Sequence, residues 1–246
     1  MPRRKKDKPP VYYLGTSGWS YPDWRERFYP PGLGAQNWLE HYSRQFNSVE
    51  VNMTFYRFPK PETLEAWLKR TPAGFTFTLK APKQITHLKK LKKVKAEVHY
   101  FDLLAGRLGN KLGCILYQLP PSLARDLKLL EEFLECLPAE RRNVVEFRHE
   151  SWYEDKVYGL LRERRATFCI VSSKKVPDTA VVTSETAYFR LHGLTGGFRY
   201  NYSDGELSTW AKTIRSVDCR EAFIYFNNDY HAQAVANARK LWEFLA

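Results

Sequence analysis

The sequence predicts an α/β fold, a single (β/α)8 TIM-like barrel with parallel strands, and three observations carry that prediction. Its 246 residues are close to the typical length of one closed barrel. Eight short apolar runs alternate with longer helical patterns, which argues for parallel pairing and closure. No internal repeat and no Ser/Gly-rich linker interrupts the alternation, so one domain is expected over residues 11–246.

The first strand is expected at Tyr12–Gly15, and helix Trp38–Phe46 leads to the second at Ser48–Asn52. Helix Glu62–Arg70 precedes strand Phe75–Lys80, and helix Ala96–Leu108 precedes strand Cys114–Gln118. Helix Asp126–Leu137 is followed by strand Val144–Arg148, and helix Glu154–Arg165 by strand Thr167–Ser172. The seventh strand is read at Tyr188–His192, with no clear helical pattern in Ser173–Glu185 before it. Helix Ser208–Val217, strand Phe223–Asn227 and helix Ala232–Leu245 complete the chain. In the last helix Ala234, Val235, Ala238, Leu241, Trp242 and Leu245 recur at helical spacing.

Side chains alternate across a strand, so residues two apart share a face. In the third strand Phe75, Phe77 and Leu79 oppose Thr76, Thr78 and Lys80. In the fifth Val145 and Phe147 oppose Val144, Glu146 and Arg148, and in the seventh Phe189 and Leu191 oppose Tyr188, Arg190 and His192. Covering helices demand the apolar set, so the polar set is expected to point into the barrel. Glu50, Asn52, Lys80, Gln118, Glu146, Arg148, Arg190, His192 and Asn227 then converge at the C-terminal ends of the strands, where barrel enzymes carry their sites. Asp229 follows just past the last strand, where Asn228 or Asp229 is first a helix N-cap. Burying so many charges is costly without a purpose. The same groups also suit a self-satisfied ion-pair network that only fills the barrel top.

Aromatic residues crowd the loops beyond these strand ends. Trp19, Tyr21 and Tyr56 are read as walls for a base or sugar ring, whereas Trp24 and Phe28 are read as loop packing. The glycines of His192–Gly197 are a candidate phosphate cradle.

The formal charge of +12 is local. Residues 1–10, expected to be a disordered basic arm, hold Arg3, Arg4, Lys5, Lys6 and Lys8 against Asp7. Residues 80–95 hold Lys80, Lys83, Lys89, Lys90, Lys92, Lys93 and Lys95 with no acid. A focused basic loop suits a polyanion such as DNA or RNA, and it equally suits a solvated surface. The widely spaced Cys114, Cys136, Cys169 and Cys219 form no Cys-x-x-Cys pair and read as reduced thiols of a cytoplasmic protein. No apolar run approaches the ~18 residues of a membrane span, and no signal-peptide core is expected.

Several segments together resemble the YecE-like family, a domain of unknown function. They are Gly15-Thr16-Ser17-Gly18-Trp19-Ser20-Tyr21, Phe46-Asn47-Ser48-Val49-Glu50-Val51-Asn52 and Thr54-Phe55-Tyr56-Arg57, then Lys80-Ala81-Pro82 with Ile85-Thr86-His87, and Gln118-Leu119-Pro120-Pro121. Val145-Glu146-Phe147-Arg148-His149, Phe189-Arg190-Leu191-His192-Gly193 and Tyr225-Phe226-Asn227-Asn228-Asp229 complete the set. The resemblance implies a TIM barrel over roughly residues 12–245 and supplies no reaction. The likeness of that family's barrel to the zinc-dependent abasic-site endonucleases adds a nucleic-acid reading by fold analogy. Met53 and the lysine run Lys89–Lys95 depart from the family's usual pattern.

Three functions fit these residues. The first is nucleic-acid binding, extended to phosphodiester hydrolysis. There Lys83, Lys89, Lys90, Lys92, Lys93 and Lys95 track phosphates, Glu50 or Glu146 acts as general base or metal ligand, and His192 acts as general acid. The second is an enzyme for a phosphorylated or carboxylated sugar-like molecule. There Lys80, Arg148 and Arg190 hold the anion, Asn52, Tyr56, Gln118, Asn227 and Asp229 contact the substrate, and Glu50 and Glu146 shuttle protons. A barrel that binds a ligand without catalysis is the third. No cofactor is evident; the scattered histidines do not support a three-zinc site, and a carboxylate-held Mg²⁺ or Mn²⁺ is easier to build.

Overall fold

Eight strands pair in parallel in the order β1-β8-β7-β6-β5-β4-β3-β2. They are β1 Val11–Thr16, β2 Ser48–Val51, β3 Thr76–Lys80, β4 Leu112–Gln118, β5 Arg142–Glu146, β6 Thr167–Ser172, β7 Thr186–Leu191 and β8 Glu221–Phe226. The fold is the (β/α)8 barrel that the alternation predicts. The computed structural model describes residues 9–195 and 197–246, so the expected basic arm lies outside them except for Pro9 and Pro10.

The helices are α1 Trp38–Ser43, the single turn α2 Met53–Tyr56, α3 Pro61–Lys69, α4 Lys95–Ala105, α5 Leu127–Leu134, α6 Asp155–Glu163, α7 Asp204–Ser216 and α8 Gln233–Leu245. Helix α7 starts earlier than its apolar pattern predicts because Ser203 and Glu206 form a reciprocal capping box. Between β6 and β7 no helix forms. There Val176 is buried with the barrel interior, and the Thr183 hydroxyl accepts from the Phe168 N–H at 2.8 Å and donates to Ala166 O at 2.6 Å. No described helix is long and apolar enough to cross a membrane.

Strand alternation splits the apolar residues into two cores. Phe75, Phe77, Leu79, Val145, Phe147, Phe189 and Leu191 pack outward under the helices. The inward set forms a separate cluster of Cys114, Leu116, Val144, Cys169, Val171, Tyr188, Phe223 and Tyr225, so the lower barrel is filled. There Thr76 bonds Ser48, and Ser48 and Thr78 bond the Tyr225 hydroxyl, while the buried charges of Glu50, Glu146 and Arg190 sit at the mouth. Tyr13 stacks on Phe223 at the base, with ring centroids 4.4 Å apart. The thiols of Cys114 and Cys169 belong to this dry interior, and burial raises both well above the usual range.

The barrel closes between β1 and β2 by an unusual seam. The two strands share a single bridge, Ser17 with Glu50, in place of a ladder. Side chains supply the missing bonds. Asn47 Oδ1 accepts from the Leu14 N–H and Asn47 Nδ2 donates to Tyr12 O, both at 2.8 Å. The Tyr42 hydroxyl accepts from the Thr16 N–H at 2.8 Å and donates to Ser48 O at 3.1 Å. Only glycine fits at position 15, since a Cβ there would stand 2.0 Å from Ser48 O.

Candidate functional site

Four of the ladders end one or two residues before the expected strand ends. Asn52, Arg148, His192 and Asn227 are therefore the first loop residues, close above the strand-borne Glu50, Lys80, Gln118, Glu146 and Arg190. The two glutamates and Arg190 have almost no exposed surface.

Arg190 is the hub. Its Nε and Nη2 donate to Glu50 Oε2 and Oε1 at 2.9 and 2.6 Å, a bidentate fork, while Nη1 donates to Glu146 Oε2 at 2.5 Å. Glu50 also accepts from the Tyr188 hydroxyl at 2.6 Å and the Ser17 hydroxyl at 2.7 Å, which uses its remaining lone pairs. Glu146 is equally occupied. Beside Arg190 it accepts from Gln118 Nε2 at 3.0 Å, Arg148 Nη1 at 2.8 Å and His192 Nε2 at 3.1 Å. Burial works against both charges. Arg190 nonetheless holds Glu50 below the ordinary carboxylate range, and with His192 and Arg148 it holds Glu146 well below that range.

His192 lies against Glu146 and both arginines. Burial lowers its pKa, and the Arg190 charge adds to this against the opposing pull of Glu146. Asn227 Nδ2 lies 3.1 Å from His192 Nδ1, while Nε2 faces Glu146 Oε1 at 3.1 Å and Arg148 Nη1 at 3.2 Å.

Lys80 differs from the arginines. Its Nζ donates to Gln118 Oε1 at 2.8 Å, lies 4.2 Å from the centre of the Phe55 ring, and has no carboxylate partner among the described residues. Gln118 is itself oriented by Glu146, so its oxygen must face the amine. Burial first, then the Arg190 charge, push Lys80 down to about 8.

Above these groups opens a cavity of about 640 Å³, lined by Tyr21, Asn52, Phe55, Tyr56, Lys80, Gln118, Arg148, Arg190, His192, Phe198, Asn227 and Asp229. The size suits a small ligand. Among the described residues Asp229 is the carboxyl lining this cavity without a cationic partner; burial raises its pKa against the opposing hydrogen bond of Tyr21. Asn52 Oδ1 is buried and unpaired. Both strand-eight loop residues His231 (φ 51°) and Ala232 (φ 60°), just beyond Asp229, are held in the left-handed region, where strain of about 1–3 kcal/mol per residue accompanies a fixed loop shape.

Not every expected residue joins the cavity. Trp19 does not line it; its ring packs edge-on against Trp67, 5.6 Å between centroids. Trp24 and Phe28 are buried packing, as read from the sequence. The cradle expected from His192–Gly197 is not free to hold a phosphate at its first glycine, because the Gly193 N–H donates to the Tyr202 hydroxyl at 2.8 Å; Gly196 lies outside the described residues. Among the described residues no three His, Cys, Asp or Glu side chains gather where they could hold a metal ion. The donor set thus does not fit the carboxylate-held divalent metal, since the arginines already take the lone pairs of Glu50 and Glu146.

The lysine loop adjoins the mouth. Lys83 Nζ lies 6.0 Å from the centre of the Tyr56 ring, and His87 packs on Phe55. Leu91 and Val94 are buried anchors, Lys90, Leu91 and Lys93 have left-handed backbones, and Lys92, Lys93 and Lys95 are exposed. Lys89 pairs with Glu97 at 2.5 Å. The alternation of sequence exposes the mouth residues; it carries no sign of Ser17, Tyr188 as a Glu50 partner, or the Asn47 seam, which depend on contacts between distant strands.

Residues 13–246 match the family profile described as a protein of unknown function, DUF72. The UPF0759 protein YunF of Bacillus subtilis is 27% identical, the alignment covering 96% of this chain and 95% of that one. The UPF0759 protein YecE of Escherichia coli is 36% identical over 68% of this chain and 61% of its own length. A crystal structure of a DUF72 family protein from Thermotoga maritima superposes with a TM-score of 0.88 at 32% identity, over 96% of this chain and 99% of that one.

Proposed function

The chain belongs to the DUF72 family of proteins of unknown function, and on that premise we propose that its barrel mouth binds and acts on a small anionic molecule. One observation carries the reading. Two carboxylates and Arg190 neutralise one another beneath the cavity with Arg148, which leaves Lys80 as an uncompensated cation and the outer edge of Arg148 facing a 640 Å³ space. A phosphate or carboxylate entering there meets two cations in a site of low dielectric, where such attraction is strongest. Tyr21, Phe55, Tyr56 and Phe198 would flank a sugar or planar ring, and Asn52, Gln118 and Asn227 would bond its polar edges.

This reading moves the acid–base role. Glu50 and Glu146 hold the arginines in place, each with four donors on it, and neither keeps a lone pair for a substrate proton. Asp229, whose pKa is raised and which lines the cavity, is the better placed acid or base. His192 positions Glu146.

Thermal-shift titration with inorganic phosphate, sugar phosphates, nucleoside monophosphates and small carboxylates tests the reading. Stabilisation by at least one of them, lost in Arg148→Gln, supports it; no stabilisation across the set contradicts it. Nucleic acid is the second reading, favoured by Lys83 against Tyr56 and by the exposed lysines of the adjoining loop. It requires oligonucleotide binding that weakens steeply with salt.

A further inference from the structure

We propose that Lys80 is an amine nucleophile that captures the carbonyl carbon of an anionic aldehyde or 2-oxo acid as an imine. The proposal rests on the anion-binding reading of the mouth and narrows it to carbonyl compounds.

Geometry carries it. Lys80 ends β3 with its Nζ in the cavity, and no carboxylate fixes it as an ammonium ion. Its single acceptor, Gln118 Oε1 at 2.8 Å, takes one N–H and leaves the nitrogen lone pair of the neutral amine unengaged. The Phe55 face, 4.2 Å away, covers one side of the amine. A cation needed only to attract phosphate gains nothing from such burial. A nucleophilic lysine does, because desolvation and neighbouring cations are the two devices that free an amine at neutral pH.

The charged groups facing Lys80 are Arg190 and Arg148, which disfavour its protonation, and Glu146 and Glu50, which favour it; His87 stands nearby. The carboxylates are already matched by the arginines, so burial and the cations prevail and the amine titrates at about 8. At pH 7.5 its neutral fraction is then roughly two hundred times that of an ordinary lysine.

The step balances without a further reagent. The Nζ lone pair forms the N–C bond as the carbonyl π pair moves to oxygen, and that oxygen receives the proton leaving nitrogen. The carbinolamine hydroxyl then takes one more proton, for which the Asp229 carboxyl lines the same cavity, and departs as water. The nitrogen lone pair closes the C=N bond and leaves a protonated imine. Arg148 holds the anionic end of the substrate.

The full-length protein is incubated with pyridoxal 5′-phosphate or pyruvate, reduced with borohydride and mapped by peptide mass. The expected result is an adduct on Lys80 formed at least about tenfold faster than on any exposed lysine. Its rate should rise through pH 8, and Lys80→Arg, checked for an unchanged unfolding temperature, should remove it. Pyridoxine 5′-phosphate and lactate, which lack the carbonyl, are tested in parallel for thermal stabilisation. Stabilisation by these analogues with no preferential adduct on Lys80 overturns the imine and leaves the anion site standing. No adduct, with no stabilisation by these analogues or by any anion of the thermal-shift set, overturns both.

Discussion

Arg190 sits between Glu50 and Glu146 with three nitrogens on carboxylate oxygens, and the chemistry of the mouth follows from that fork. Removing one charge leaves another buried without its partner. Glu50→Gln should therefore lower stability by about 3–5 kcal/mol in urea unfolding, while Glu50→Asp should also fail because it shortens the reach to the fork. Both glutamates titrate below their unfolded values, so their stabilisation is fully present above about pH 5. It is lost as pH falls through the unfolded carboxylate range toward the lower folded values, which acid unfolding should record. Lys80 adds a dependence of the same sign at higher pH. Its folded pKa of about 8 lies below the unfolded value, so between these the unfolded chain binds more protons and stability rises with pH. The wild type should gain stability relative to Lys80→Met from pH 8 to 9.5. At this scale the sequence is informative: strand alternation alone brings the mouth residues to one face. It cannot tell a reactive carboxylate from one bound to four donors, because Ser17, Tyr188 and Arg190 reach Glu50 from other strands.

The elements are legible where periodicity is long and uncertain where side chains set the boundary. Helix α8 is read within a residue from its apolar spacing, whereas the start of α7 is fixed by the Ser203–Glu206 box four residues before its pattern is recognised. The β1–β2 seam is invisible to periodicity altogether, because Asn47 and Tyr42 do work that backbone ladders do elsewhere in the barrel. Asn47→Ala should cost about 1–3 kcal/mol, the penalty of leaving buried backbone groups unpaired. Amide exchange should quicken at Leu14 while β6 and β7 stay protected. Gly15→Ala should be worse, since its methyl group would meet Ser48 O and force the seam apart. Because β2 carries Glu50 and the bridge at Ser17 joins it to β1, opening the seam also loosens the fork. Equal exchange at Leu14 in wild type and Asn47→Ala would show that the seam is held by something else.

Across the whole molecule, charge and shape point to different ligands, and they can be separated. The lysine loop is an exposed surface beside the mouth, held in shape by Leu91 and Val94. The cavity is a recess whose cations are buried in the case of Arg190 and half-buried in the case of Lys80 and Arg148. At the opposite end of the barrel lie a more apolar cleft of about 480 Å³, lined by Leu14, Phe46, Phe75 and Trp242, and a polar hollow of about 890 Å³ whose charged pair Arg142 and Glu221 keeps contact with solvent. The mouth is therefore the place where polar groups are organised at an energetic cost that packing does not require. Neutralising Lys89, Lys90, Lys92 and Lys93 should reduce any oligonucleotide affinity and its salt dependence while leaving small-anion binding unchanged.

The most direct measurement is calorimetric titration of sugar phosphates, nucleoside monophosphates and small carboxylates into the wild type, Lys80→Met, Arg148→Gln and the quadruple lysine-to-alanine variant. The account predicts one-to-one binding of at least one compound, weakened about tenfold or more by either mouth substitution and untouched by the loop substitution; each tenfold is about 1.4 kcal/mol. Binding that disappears only in the loop variant, or no binding of any compound to the wild type, would contradict it.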